Sequence, residues 1–162
     1  MVSSPRRAIV PVLARHDRLL EVGIGDRPEV ALALAERGRD VVALDVDDVD
    51  VRTRPGGSAG DSAGEQAGGS LRVVRGDVVT LAEAATDDAI SDLLGADAGE
   101  SVDAVYACNL PAELQRPTVP IAERLDAACL FTTLGFEEPV VPVRRQSLSG
   151  NTLYVARDPV DD

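Results

Sequence analysis

Residues 19–26 read Leu-Leu-Glu-Val-Gly-Ile-Gly-Asp, and this stretch decides the fold. The apolar run that ends at Val22 predicts a buried parallel strand, and the two glycines after it predict a tight turn. Apolar residues at helical spacing follow as far as Gly38, and residues 41–44 form a second apolar run that ends at Asp45. A strand, a helix and a second strand joined by short turns indicate an α/β domain with a parallel sheet.

The rest of the chain extends this pattern. Further strands are predicted at 71–74, 102–108 and 130–132, and a terminal hairpin from 140–143 and 152–156. Helices are predicted over 5–16, within 79–95, and from about Pro117 through Ala128. The predicted fold class is therefore α/β, a Rossmann-like three-layer α/β/α sandwich with a mostly parallel sheet and a C-terminal hairpin. A length of 162 residues fits one domain, 1–162.

A Gly/Ser-rich tract interrupts the predicted order at about 52–70. It contains no large apolar side chain and stands where the second crossover helix is expected. Such a composition offers too little apolar surface to offset the entropy of ordering, so we expect a flexible insertion.

Composition excludes several classes. The chain has 28 acidic residues and 16 basic ones, all arginine, for a net charge of −12. This lysine-free acidic profile is typical of proteins from salt-loving archaea, although a genome biased to arginine codons would also explain it. The charge does not indicate nucleic-acid binding, which needs clustered cations. No apolar run is long enough for a membrane span, no leader peptide is visible, and we expect a cytoplasmic protein. Two cysteines and one histidine predict neither a disulfide framework nor a Cys/His metal site.

Carboxylates follow the predicted strands at the edge where a ligand would bind. Asp45 comes 20 residues after Gly25, which places it beside the glycine turn, where it can accept hydrogen bonds from two ribose hydroxyls. Glu21 and Asp77 add two more carboxylates at strand ends. Pro28 stands where the third glycine of a dinucleotide fingerprint is required. Together these features favour a cationic adenosine compound over a dinucleotide.

At these positions the sequence resembles class I S-adenosylmethionine-dependent methyltransferases. The stretch from Glu21 to Gly25 is similar to their first motif, Asp45 to their ribose-binding acid, and residues 76–77 to their adenine-side motif. The segment 104–117 is similar to the small archaeal uncharacterised protein family 0146, of haloarchaeal type. The resemblance implies S-adenosylmethionine as cofactor, with these cofactor-binding residues: Glu21, Gly23, Gly25, Asp45, Asp77, Val78 and Asn109.

The resemblance leaves the methyl acceptor and the catalytic residues unidentified. The segment 109–112, Asn-Leu-Pro-Ala, lacks the aromatic residue of the Asn-Pro-Pro-Tyr motif of amino-group methyltransferases. A non-catalytic cofactor-binding or partner subunit is a second hypothesis, and an NAD-binding module is a third.

Overall fold

The computed structural model of the chain describes residues 8–23, 29–45, 70–75, 78–84, 102–133, 138–148 and 151–158. The described helices are α1 (Val10–Leu13), α2 (Glu29–Glu36), α3 (Val78–Ala84) and α4 (Ala112–Leu125). The strands are β1 (Arg18–Val22), β2 (Asp40–Asp45), β3 (Ser70–Arg75), β4 (Ala104–Ala107), β5 (Ala128–Phe131), β6 (Arg144–Leu148) and β7 (Asn151–Arg157).

The seven strands form a single sheet in the order β3-β2-β1-β4-β5-β7-β6. Strands β1 to β5 pair in parallel, whereas β7 pairs antiparallel with both β5 and β6. The predicted mixed sheet, mostly parallel with a C-terminal hairpin, is confirmed.

Both faces of the sheet are covered, which makes three layers. Side chains alternate along β1, so Leu19 belongs to a core with α1 and α2, and Leu20 belongs to a core with α3 and α4. All four residues of β4 and of β5 are buried, as expected for parallel strands between two helical layers. The Rossmann-like sandwich predicted from the sequence is therefore confirmed.

Helix α4 begins earlier than the sequence indicated. Its start was predicted near Pro117, but the helix runs through both Pro117 and Pro120. Each proline lacks the N–H that would bond to the carbonyl four residues earlier, at Glu113 and Arg116. These two residues are exposed, so water can satisfy the freed carbonyls. The opposite side of the helix is buried through Gln115, Thr118, Ile121 and Ala122.

The first strand of the hairpin was also misplaced. It was predicted over 140–143, but β6 begins at Arg144. Val141 and Val143 are partly buried against the α3/α4 core without belonging to a strand. Strand β6 is a polar edge strand, in which Arg144 and Arg145 are exposed, so apolar alternation did not reveal it.

The N-terminal helix is shorter than predicted, Val10–Leu13 rather than 5–16, with residues 5–7 outside the described part. The backbone amides of Asp17 and Arg18 both donate to the carboxylate of Asp103, at 3.1 and 3.2 Å. These two bonds fix the position of the backbone at the start of β1, and α1 ends before the residues that make them.

The predicted Gly/Ser-rich insertion lies outside the described residues, apart from Ser70, which begins β3. Within the described part, no helix has the length and hydropathy needed to cross a membrane. Neither Cys108 nor Cys129 forms a disulfide.

Candidate functional site

The strand order reverses direction between β1 and β4. From β1 the chain proceeds outward through β2 to β3, and from β4 it proceeds to β5 on the other side. Connections on the two sides of such a point leave the sheet on opposite faces, which opens a crevice at the carboxyl ends of the two strands. Ligands of open α/β sheets bind in that crevice. The residues at the ends of β1 and β4 are therefore the first to consider.

A buried hydrogen bond joins these two strands just below the edge. Glu21 and Tyr106 are direct partners in the parallel register. The Tyr106 hydroxyl donates to Glu21 Oε1 at 2.8 Å, and the two residues are 1% and 2% exposed. Burial, together with the negative charge of Glu21, raises the pKa of Tyr106 well above its ordinary value. The phenol therefore stays protonated and remains a donor.

Gly23 follows the last residue of β1 at the carboxyl edge of the sheet. Its φ of +71° lies in the left-handed region, which glycine adopts without strain. Its N–H donates to the carbonyl of Leu44 in β2 at 2.6 Å, which fixes the peptide. Among the described residues, no atom lies within 4 Å of a Cβ built at this position. None of the described side chains therefore obstructs a ligand that approaches the backbone here.

Asn109 follows β4 at the same edge and also has a left-handed backbone, with φ +60°. Its N–H donates to Oγ1 of Thr132 at 2.8 Å, and the next amide, of Leu110, donates to the Thr132 carbonyl at 2.7 Å. The Thr132 amide in turn donates to the carbonyl of Ala107 at 3.1 Å. Thr132 is 2% exposed. Three bonds to one buried threonine thus hold the segment after β4 in place.

Of the four remaining predicted site residues, two lie within the described part of the chain and two lie outside it. Asp45 is the last residue of β2, one position beyond the Leu44 that pairs with Val22, so its backbone reaches the edge beside Gly23. Val78 is buried at the first turn of α3. Gly25 and Asp77 lie outside the described residues.

The structure thus brings Glu21, Gly23, Asp45 and Asn109 to the carboxyl edge of three adjacent strands. Sequence reasoning did not single out Tyr106 or Thr132 for this site. Both pair with residues distant in sequence, and only the register of β1, β4 and β5 reveals them. Among the residues that the structure describes, no cluster of three His, Cys, Asp or Glu side chains could hold a metal ion.

The chain is similar in fold to solved methyltransferases. An RNA methyltransferase from Salinibacter ruber, solved with S-adenosylhomocysteine, matches with a TM-score of 0.56 at 19% identity, over 99% of this chain and 97% of that chain. The O-methyltransferase TomG from Streptomyces achromogenes, solved with S-adenosylmethionine, matches with 0.53 at 14% identity, over 98% of this chain and 82% of that chain. The bifunctional kinase-methyltransferase WbdD matches with 0.58 at 14% identity, over 96% of this chain but 40% of its own. The fold is therefore that of Rossmann-like methyltransferases.

Sequence relatives are haloarchaeal. A UPF0146 protein of Halobacterium salinarum strain R1 is 40% identical over 151 residues, which is 93% of this chain and 95% of the relative, and a UPF0146 protein of strain NRC-1 matches to the same extent. The model of the uncharacterised protein family UPF0146 matches residues 4–158. The resemblance inferred from the segment 104–117 is confirmed, and this chain belongs to the uncharacterised protein family UPF0146.

Proposed function

We propose that this chain binds S-adenosylmethionine at the carboxyl edge of the sheet, between β1 and β4. The observation that carries the proposal is Gly23, a left-handed glycine at the point where the strand order reverses, with no atom of the described residues within 4 Å of the place of a Cβ. Two residues earlier in the chain is the buried Glu21 carboxylate, which suits a ligand with a positive centre better than a pyrophosphate. The likeness in fold to methyltransferases solved with this cofactor or its product supports the same choice.

Different residues of the site would contact different parts of the ligand. Gly23 and Gly25 would accommodate the methionine part against the backbone, and Asp45 would accept hydrogen bonds from the ribose hydroxyls. Asp77 and Val78 would border the adenine. When bound, the cofactor supplies a methyl group on a positively charged sulfur.

Asn109 would present the methyl acceptor, because its segment is held by three hydrogen bonds to Thr132 and so has a fixed position next to β1. Methyl transfer of this kind depends on alignment and exclusion of water more than on an acid–base residue. A site built of backbone, carboxylates and a rigid segment is therefore sufficient for the proposed chemistry.

Ligand binding tests the proposal directly. We expect S-adenosylmethionine and S-adenosylhomocysteine, but not NAD or ATP, to raise the melting temperature in molar KCl. Asp45→Ala should weaken S-adenosylhomocysteine binding at least ~10-fold, since hydrogen bonds to a charged group contribute about 1.5–3 kcal/mol each. Asp40→Ala is the matched control, because Asp40 begins the same strand at the opposite edge of the sheet. Equal effects of the two substitutions, or stabilisation by NAD alone, would contradict the proposal.

A pair of glycines separates ligand contact from backbone strain. Gly23 and Gly38 both have positive φ, +71° and +87°, so alanine at either position costs about 1–2 kcal/mol of stability. Only Gly23 lies at the proposed site, because Gly38 follows α2 at the amino edge of the sheet. We expect Gly23→Ala to weaken ligand binding and Gly38→Ala to leave it unchanged. Isothermal titration of both variants with S-adenosylhomocysteine distinguishes the two effects.

A labelled methyl group then tests turnover. Incubation of the chain with methyl-labelled S-adenosylmethionine and fractions of a haloarchaeal cell extract should label one acceptor fraction. Binding without transfer to any fraction would instead identify a non-catalytic cofactor-binding subunit.

A further inference from the structure

The hydrogen bond between Tyr106 and Glu21 lies next to the proposed ligand site. It connects the two strands between which the strand order reverses, and both of its partners are buried. Glu21 precedes Gly23 by two residues, so about 7 Å of strand separates their Cα atoms. The buried carboxylate therefore belongs to a residue two positions before the edge at which we place the ligand.

The bond favours the ionised form of Glu21 and so opposes the effect of burial, which by itself favours a neutral carboxyl. A donor that bonds to a carboxylate stabilises its ionised form, and burial keeps the Tyr106 phenol protonated as that donor. A charge in the protein interior is less screened than one on the surface, so its effect extends farther. The field of Glu21 therefore reaches the end of β1 even though its side chain is covered.

We infer that Tyr106 is a positioning residue that holds Glu21 as a fixed negative charge, and that this charge makes the site prefer the sulfonium of S-adenosylmethionine to the neutral thioether of S-adenosylhomocysteine. The inference rests on the proposed function and deepens it, because it assigns a cause to the preference between two forms of one ligand. In methyl transfer the sulfur–methyl bond breaks and its electron pair remains on sulfur. The acceptor's lone pair bonds to the methyl carbon, and the acceptor releases a proton to water. The positive charge on sulfur is thereby lost, so the charge that retains the methyl donor does not retain the product.

The test compares the dissociation constants of the two ligands by isothermal titration in molar KCl. Glu21→Gln keeps the shape and an oxygen that accepts from Tyr106, but it removes the charge. We expect it to weaken S-adenosylmethionine about ten-fold more than S-adenosylhomocysteine, the order of effect of a unit charge about 10 Å away at an effective dielectric constant of about 20. Glu36→Gln is the matched control, because Glu36 is an exposed carboxylate at the far end of α2.

Two further variants separate charge from structure. Glu21→Asp keeps the charge and should keep the preference for S-adenosylmethionine, even if both ligands bind more weakly. Tyr106→Phe removes the donor and should reduce the preference, whereas Tyr154→Phe, the same change on β7, should not. A purely structural role would change both affinities by one factor and leave their ratio constant.

The outcomes can be told apart. Equal weakening of both ligands by Glu21→Gln, with an unchanged ratio in Tyr106→Phe, would overturn this inference and leave the proposed function intact. Failure of the wild-type chain to bind either ligand would overturn both. If Glu21→Gln shows no cooperative melting, Glu21→Asp and Tyr106→Phe decide, and an unchanged ratio in Tyr106→Phe then refutes the positioning role.

Discussion

Removal of one hydroxyl group should measurably destabilise this protein. Tyr106→Phe keeps the ring in a site that is 1% exposed and deletes only the hydroxyl group, which donates to Glu21. A hydrogen bond to a charged group contributes about 1.5–3 kcal/mol, and here the acceptor would remain buried after the donor is lost. For a chain of this size each kcal/mol corresponds to about 2–4 °C, so we expect a melting temperature lower by about 3–12 °C.

Thermal and urea unfolding in molar KCl, followed by circular dichroism, measure the effect. Tyr154→Phe is the control, because that ring is only partly buried and its change should stay within about 0.5 kcal/mol. In a Glu21→Gln background the cost of Tyr106→Phe should fall to about 0.5–1.5 kcal/mol, the contribution of a neutral hydrogen bond. A wild-type melting temperature in Tyr106→Phe, or the same cost in both backgrounds, would refute the charge-assisted bond.

Three other properties follow from the charge and burial of particular groups. The net charge of −12 should lower the melting temperature in dilute buffer relative to molar KCl, because screening is lost below about 0.1 M salt; equal melting temperatures would contradict this. Burial raises the pKa of the Cys129 thiol to about 12, so iodoacetamide should modify the half-buried Cys108 first, as mass spectrometry of the native protein would show. Burial lowers the pKa of His16 from 6.5, against the opposing effect of Asp103 and Asp158. Below pH 6.5 His16 is therefore protonated more readily in the unfolded chain than in the folded one, which lowers the stability of the fold as the pH falls. The melting temperatures at pH 7 and pH 5.5 should therefore differ less in His16→Gln than in the wild type.

The centre of the sheet could be predicted because its signals are local. Strand β1 is a mostly apolar run followed by Gly23, and β2 ends at the predicted Asp45. The connection between Glu21 and Tyr106 could not be predicted, since 85 residues separate them and only the parallel register makes them neighbours. The same holds for Thr132, which lies 23 residues from Asn109 in sequence.

The errors occurred where tertiary packing overrides local preference. Pro117 and Pro120 are signals of a helix start, yet the buried face of α4 extends the helix five residues before the first of them. Val140, Val141 and Val143 suggested a strand, but the structure uses two of them as packing residues and gives the hairpin edge to arginines. In both cases the local structure is determined by packing against residues that are distant in sequence.

The two prolines of α4 also bear on the order in which the chain assembles. Each costs about 3 kcal/mol relative to alanine inside a helix, so this segment has little tendency to become helical by itself. Its ordering depends on the α3/α4 face of the sheet, where Ile121 and Ala122 are completely buried. That face includes β5, which follows α4 in the chain. We therefore expect the helix to form after β4 and β5 have paired, and pulsed hydrogen exchange during refolding should find its amides protected later than those of β1 and β4.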